Sequence, residues 1–131
     1  MKNPTYYLAV FGKPEPPDRD TVDSGRFFLG RRGADTPGER GDVMLLCCNA
    51  VDAEQGMCAT GIGIILTKTK EFIFYRHLPF SSPISKDVLE GAFSTEDRNR
   101  FSDIRPNNYW IFDISGESFR SATRGVPIHW P

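Results

Sequence analysis

The sequence predicts an α+β domain built on a small, strongly bent β-barrel. Three observations point there. The stretch from Gly41 to Leu66, GDVMLLCCNAVDAEQGMCATGIGIIL, holds two strand-like runs too apolar to lie at a surface. The second run, Met57 to Leu66, carries Gly61 and Gly63 among β-branched residues, as a bulge, a sharp bend or a close backbone approach requires. The rest of the chain divides into short β-rich runs and helix-sized segments that begin at Ser or Thr.

Size and charge narrow the function classes. A chain of 131 residues suits one domain and can bury a core without disulfides or a metal. A formal net charge of −1 supplies no global field toward nucleic acid or an anionic membrane, which leaves local basic stripes as the relevant signal. The three cysteines, Cys47, Cys48 and Cys58, are odd in number and two are adjacent. Adjacent strand residues face opposite ways, so Cys47 and Cys48 do not line one site. This usage fits a reducing, cytoplasmic setting better than a disulfide framework. No apolar run is long enough to span a bilayer, and MKNPTYYLAVFGKPEPP lacks the pattern of a signal peptide, so no membrane partner is expected.

Taken in order, Thr5 to Phe11 is an aromatic and β-branched first strand, ended by Gly12. Lys13 to Gly25, with three prolines and many charges, is a loop. Arg26-Phe27-Phe28-Leu29-Gly30-Arg31-Arg32-Gly33 supports two readings. In one it is a short edge strand or turn with one Phe buried. In the other, guanidinium groups meet phosphates while an aromatic face stacks on a base. Thr36 to Gly41 is a turn that feeds the strand at Asp42, and Asn49 to Gly56 joins the two central strands. Glu71 to Leu78 alternates, with Phe72, Phe74 and Arg76 on one face and Ile73, Tyr75 and His77 on the other. Pro79 to Pro83 is expected to break the sheet. Ser85 then caps a short helix over Lys86 to Glu90 that ends at Gly91, and Ser94 or Thr95 caps a second helix to Phe101 or Ser102. Arg105-Pro106-Asn107-Asn108 is a turn, and Tyr109 to Ile114 is the last strand, with Trp110 and Phe112 on one face. Ser115 to Ala122 fits a third short helix with an incomplete capping box. The tail from Val126 shows no period, and packs on the barrel or serves as a linker.

Most catalytic signatures are missing. Gly61-Ile62-Gly63 has Leu66 at the third fingerprint position and no helix after it, and there is no Walker sequence, so no nucleotide cofactor is expected. His77 and His129 lie far apart, without CxxC or HxxxH spacing, and no metal site is expected. A Cys–His enzyme would use Cys47 or Cys48 as thiolate and His77 as base; against it, cysteine in an apolar strand is usually a small inert hydrophobe. Glu96 and Asp97 read as a helix start. The binding reading draws on the loop-side aromatics and arginines. Phe27 or Phe28, with Trp110, would wall a base pocket, and Asn49 would read the base edge through its amide. Arg26, Arg31, Arg32 and Arg105 would hold phosphates. Trp110 also alternates with buried positions and fits the core more readily than a base cage.

The order of pieces resembles the PUA-like superfamily, most of all the EVE domain and its YTH and ASCH relatives. The resemblance rests on Tyr6-Tyr7-Leu8-Ala9-Val10-Phe11, the Pro37-Gly38-Glu39-Arg40-Gly41-Asp42 turn, Gly61-Ile62-Gly63-Ile64-Ile65, Phe74 to Phe80 followed by Ser82-Pro83-Ile84-Ser85, and Phe101 to Arg105 before a Trp-bearing strand. It implies a bent barrel of five or six strands flanked by short helices. It also implies a non-catalytic pocket for a modified base in DNA or RNA, beside a nuclease or helicase partner in modification-dependent restriction or RNA processing. The sequence departs from the EVE pattern where that family carries Trp with Ser or Asn. Here Phe11-Gly12-Lys13 and Arg26-Phe27-Phe28 stand instead. A small Cys-dependent enzyme and a protein-interaction module remain the alternatives.

Overall fold

A computed structural model of the chain describes residues 3–11, 25–29, 38–49, 57–102 and 110–127. It is an α+β fold in which six strands form one curled half-barrel sheet with three short helices against it. The strands are β1 (Tyr6–Val10), β2 (Arg26–Phe28), β3 (Val43–Asn49), β4 (Met57–Lys68), β5 (Phe72–Ser85) and β6 (Trp110–Ile114). The helices are α1 (Lys86–Ala92), α2 (Thr95–Ser102) and α3 (Gly116–Thr123). The sheet order is β2-β5-β4-β3-β1-β6, with β1 and β3 parallel and every other neighbouring pair antiparallel.

Side-chain alternation in the central strands feeds two separate cores. Leu8, Val10, Leu45 and Cys47 point to one face, where Leu89, Phe93, Phe101 and Phe119 of the helical layer cover them. Tyr7, Ala9, Met44, Leu46 and Cys48 point to the other, with Ile73, Tyr75 and Phe27. Met44, Leu45 and Leu46 are all fully buried, each contributing about 1.5–3 kcal/mol. This is the two-sided burial that the apolar run over 43–48 predicts. The curl shows in one contact. Phe11 after β1 and Phe27 on β2 come from strands with three others between them in the sheet order, yet their rings meet edge-on at 5.0 Å.

Glycine makes the curl possible. A Cβ on Gly63 would sit 2.9 Å from Cδ2 of Tyr75 and 3.2 Å from Cδ2 of Leu46. At Gly61 it would sit 2.6 Å from Nε2 of His77 and 2.8 Å from the Leu78 carbonyl. The register between β4 and β5 slips next to Gly61. There Ala59 pairs with Ile84 and Gly61 with Pro79, so five steps of β5 face two of β4. This bulge corrects the expectation that Pro79 to Pro83 breaks the sheet. Both prolines lie inside β5, which runs on to Ser85, because a bulge does not need their missing N–H groups. The Ser81 N–H inside it donates to the Pro127 carbonyl at 2.9 Å and ties down the tail.

The turn before β3 is held by Asp42, whose carboxylate accepts from the Thr5 N–H at 3.0 Å and the Glu39 N–H at 2.9 Å. Gly41 takes φ of 91° there, a conformation that favours glycine. The Ser85 hydroxyl accepts from the Val88 N–H and caps α1, which passes through Gly91 and ends at Ala92 rather than stopping at the glycine. Ser115 caps α3 in the same way, through the Ser118 N–H at 3.0 Å.

One buried carboxylate joins the helices to the sheet. Asp97 of α2 is 2% exposed. Its Oδ2 accepts from the Ser118 hydroxyl at 2.7 Å and the Ser115 N–H at 3.1 Å, and its Oδ1 accepts from Arg100 at 2.9 Å. Arg100 also reaches Asp113 of β6 at 3.3 Å. Burial raises the Asp97 pKa, but the bonds from Ser118, Ser115, Arg100 and Ser94 outweigh it and hold the group at about 2.

These constraints can be tested by stability measurements. The folded pKa of Asp97 lies below its unfolded value, so its contribution is complete above about pH 4–5 and is lost as pH falls toward 2; it amounts to about 2–3 kcal/mol. Urea titrations from pH 6 to pH 2 will show a decline in stability that Asp97→Asn flattens. Gly61→Ala forces His77 and the β5 backbone apart and will lower stability by about 1–3 kcal/mol, measured by the same titration at neutral pH.

Candidate functional site

Pairing of β2 with β5 builds a mixed aromatic and basic surface. Arg26 lies opposite Phe74 in the register, and Arg76 lies opposite Ile64 of β4. Strand alternation puts Arg26, Phe72, Phe74 and Arg76 on the face that carries the helices. The helices, however, pack against the other end of that face, over Ala59, Ile62, Leu78, Phe80 and Ile84. Phe72 and Phe74 are therefore half-buried, and Arg26 and Arg76 are exposed. The Arg26 guanidinium stands 5.4 Å from the Phe72 ring centre, and the Phe72 and Phe74 rings are 6.0 Å apart at 48°. Leu66 of β4, at the register shift between Ile65 and Thr67, is 49% exposed, contrary to the expectation that the whole run to Leu66 is too apolar to reach a surface. Flat rings bordered by guanidinium groups can stack a base and hold its phosphate.

The residues singled out in the sequence separate in space. Phe27 is 1% exposed and packs edge-on against Phe11, so it is the buried Phe of the edge-strand reading. Trp110 is half-buried on β6 and packs with the helix-covered core, whereas Phe27 belongs to the other core. The structure does not bring these two rings to one pocket. Phe28 pairs with Phe72 in the backbone register, and Asn49 ends β3 opposite Met57. Arg31, Arg32 and Arg105 lie outside the described residues. Of the expected phosphate ligands, Arg26 is the one placed on the exposed aromatic surface. Phe72, Phe74 and Arg76 are visible in the sequence as one face of an alternating strand. What joins them to Arg26 is the long-range β2–β5 pairing.

The cysteines also separate. Cys47 is fully buried in the helix-covered core, and burial pushes its thiol far above the ordinary range. Cys48 belongs to the opposite core and pairs directly with Cys58 across β3 and β4. The two thiols share a hydrogen bond, which raises Cys48 and lowers Cys58 to about 7. The most acidic thiol is thus Cys58, not the Cys47 or Cys48 expected from the sequence. His77 follows Tyr75 by two on β5 and so shares the face of Cys48, while Cys47 points the other way. The His77 ring packs over Gly61 and stands edge-on to Tyr75 at 6.3 Å. Among the described residues, no group of three or more His, Cys, Asp or Glu could hold a metal ion, and no helix is long and apolar enough to cross a membrane.

A cleft of about 380 Å³ opens elsewhere, lined by Thr5, Tyr6, Ile114, Gly116 and Arg120. It lies where Tyr6 stacks on Phe119 at 4.6 Å, away from the aromatic and basic surface. No family model matches the chain, and no curated protein matches it in sequence.

If Phe27 is a core residue, its loss is felt in folding. Phe27→Ala will lower stability by about 3–5 kcal/mol in urea denaturation, against under about 1.5 kcal/mol for Arg26→Ala.

Proposed function

We propose that the chain is a non-catalytic nucleic-acid-binding domain that holds single-stranded or flipped-out bases on the outer face of β2 and β5. One observation carries this reading: Phe72 and Phe74 lie side by side, half-exposed, with Arg26 beside one ring and Arg76 on the same strand face. Stacking accepts any base, and the two arginines supply the charge that tracks a phosphate backbone. A net charge of −1 agrees with recognition by a local stripe rather than by the whole molecule. The resemblance to PUA-like domains adds the expectation that the base is modified, and that the domain works beside a nuclease or helicase. Arg31, Arg32 and Arg105 extend the same proposal as further phosphate ligands.

The test is fluorescence anisotropy with single-stranded DNA and RNA oligonucleotides, with and without modified cytosine or adenine, at two salt concentrations. Binding should weaken with salt, and Arg26→Ala with Arg76→Ala should reduce the log–log slope by about 0.7 for each phosphate that is no longer neutralised. Phe72→Ala and Phe74→Ala should each weaken binding by about 5- to 150-fold, as expected for about 1–3 kcal/mol of stacking per base. If no oligonucleotide binds in a salt-dependent way, the surface is not a nucleic-acid site and docking of a partner protein takes its place.

A further inference from the structure

A second pair of chemistry-bearing residues lies on the opposite side of the sheet. Cys48 and Cys58 are direct partners in the antiparallel register of β3 and β4. Their side chains project to the same face. Directly opposed residues in such a ladder have Cα atoms about 4.5–5.5 Å apart, within the span of about 4.4–6.8 Å that a disulfide bridges. Both are free thiols. Cys58 is the most accessible of the three cysteines at 9%, against 5% for Cys48 and none for Cys47. Cys58 is also the second residue of β4. A sulfur whose neighbour donates an S–H to it reaches the thiolate form most readily, and the thiolate is the nucleophile in exchange.

We propose that Cys48 and Cys58 form an oxidisable dithiol that reacts with a small-molecule disulfide and closes into a cross-strand disulfide. Cys58 is the attacking residue and Cys48 the resolving one. With oxidised glutathione, the Cys58 thiolate attacks one sulfur of the reagent. A mixed disulfide forms, the glutathione S–S bond breaks, and the released thiolate takes a proton from water. Cys48 then gives up its proton to water as its sulfur attacks Sγ of Cys58 and expels the second glutathione thiolate. Two protein thiols become one disulfide, and one glutathione disulfide becomes two thiols, so two electrons pass from protein to reagent. Cys47, on the other face and fully buried, takes no part.

The experiment uses the full chain, reduced and then equilibrated with oxidised glutathione, with free thiols trapped by alkylation and the products mapped by mass spectrometry without reduction. Circular dichroism confirms that each sample is folded. The expected wild-type product is one intramolecular bond between the Cys48 and Cys58 peptides, with Cys47 alkylated only after unfolding. Cys48→Ser should stop at a glutathione adduct on Cys58, and Cys58→Ser should form neither the adduct nor the bond. Cys47→Ser should oxidise as the wild type does. A folded wild-type chain that keeps all three thiols would overturn the proposal. So would a bond that includes Cys47, or an adduct that forms first on Cys48. Wild-type mapping alone decides the matter if a variant does not fold.

Discussion

The fold depends on the two-sided burial of β3. Every residue from Met44 to Cys48 is buried, and successive side chains enter different cores. Such a strand leaves no face to solvent, so something must cover each side. On one side the cover is helical. On the other the sheet covers itself by curling until Phe27 reaches Phe11. That curl needs strands that approach more closely than side chains allow, and Gly61 and Gly63 supply the room, one under His77 and the other under Tyr75 and Leu46. A one-residue slip in this ladder would send every apolar side chain to the wrong core.

Asp97 sets the helical cover in place. It is one carboxylate with partners on α3, at the β6–α3 junction and on its own helix, while Arg100 carries the link on to β6. Apolar packing alone would let short helices slide, because α1, α2 and α3 span only seven or eight residues each. Directional bonds to a buried charge remove that freedom. The helices reach only one end of their face, and the half-buried rings of Phe72 and Phe74 are what they leave partly uncovered.

How much of this is legible in the sequence depends on how local each signal is. The central strands, the caps at Ser85 and Ser115 and the alternation from Phe72 to His77 all lie within a few neighbouring residues, and the structure has them in place. The strand through Pro79 and Pro83 is not legible, since proline argues against a strand unless the partner's bulge is known. The end of α1 is hidden for a similar reason: Gly91 looks like a stop, but Leu89 and Phe93 are both buried and hold the last turn down. For the candidate site, Arg26 stands out, but its evident neighbours in the sequence are residues such as Phe27, which alternation sends inward. Phe72 joins Arg26 only through pairing across more than forty residues. Cys58 escapes notice likewise, because its acidity comes from a partner on another strand.

The prolines of β5 matter beyond the domain itself. Among the described residues, only Phe72–Phe74 of this 14-residue strand pair with β2, so much of its outer side borders no other described strand. A long open border of this kind is where one copy of a sheet protein can recruit another and begin to aggregate. Here Pro79 and Pro83 have no N–H to offer, the bulge twists the border out of line, and the Ser81 N–H is already taken by Pro127. The irregularity that makes the strand hard to foresee thus also leaves fewer backbone N–H groups there for another strand to pair with.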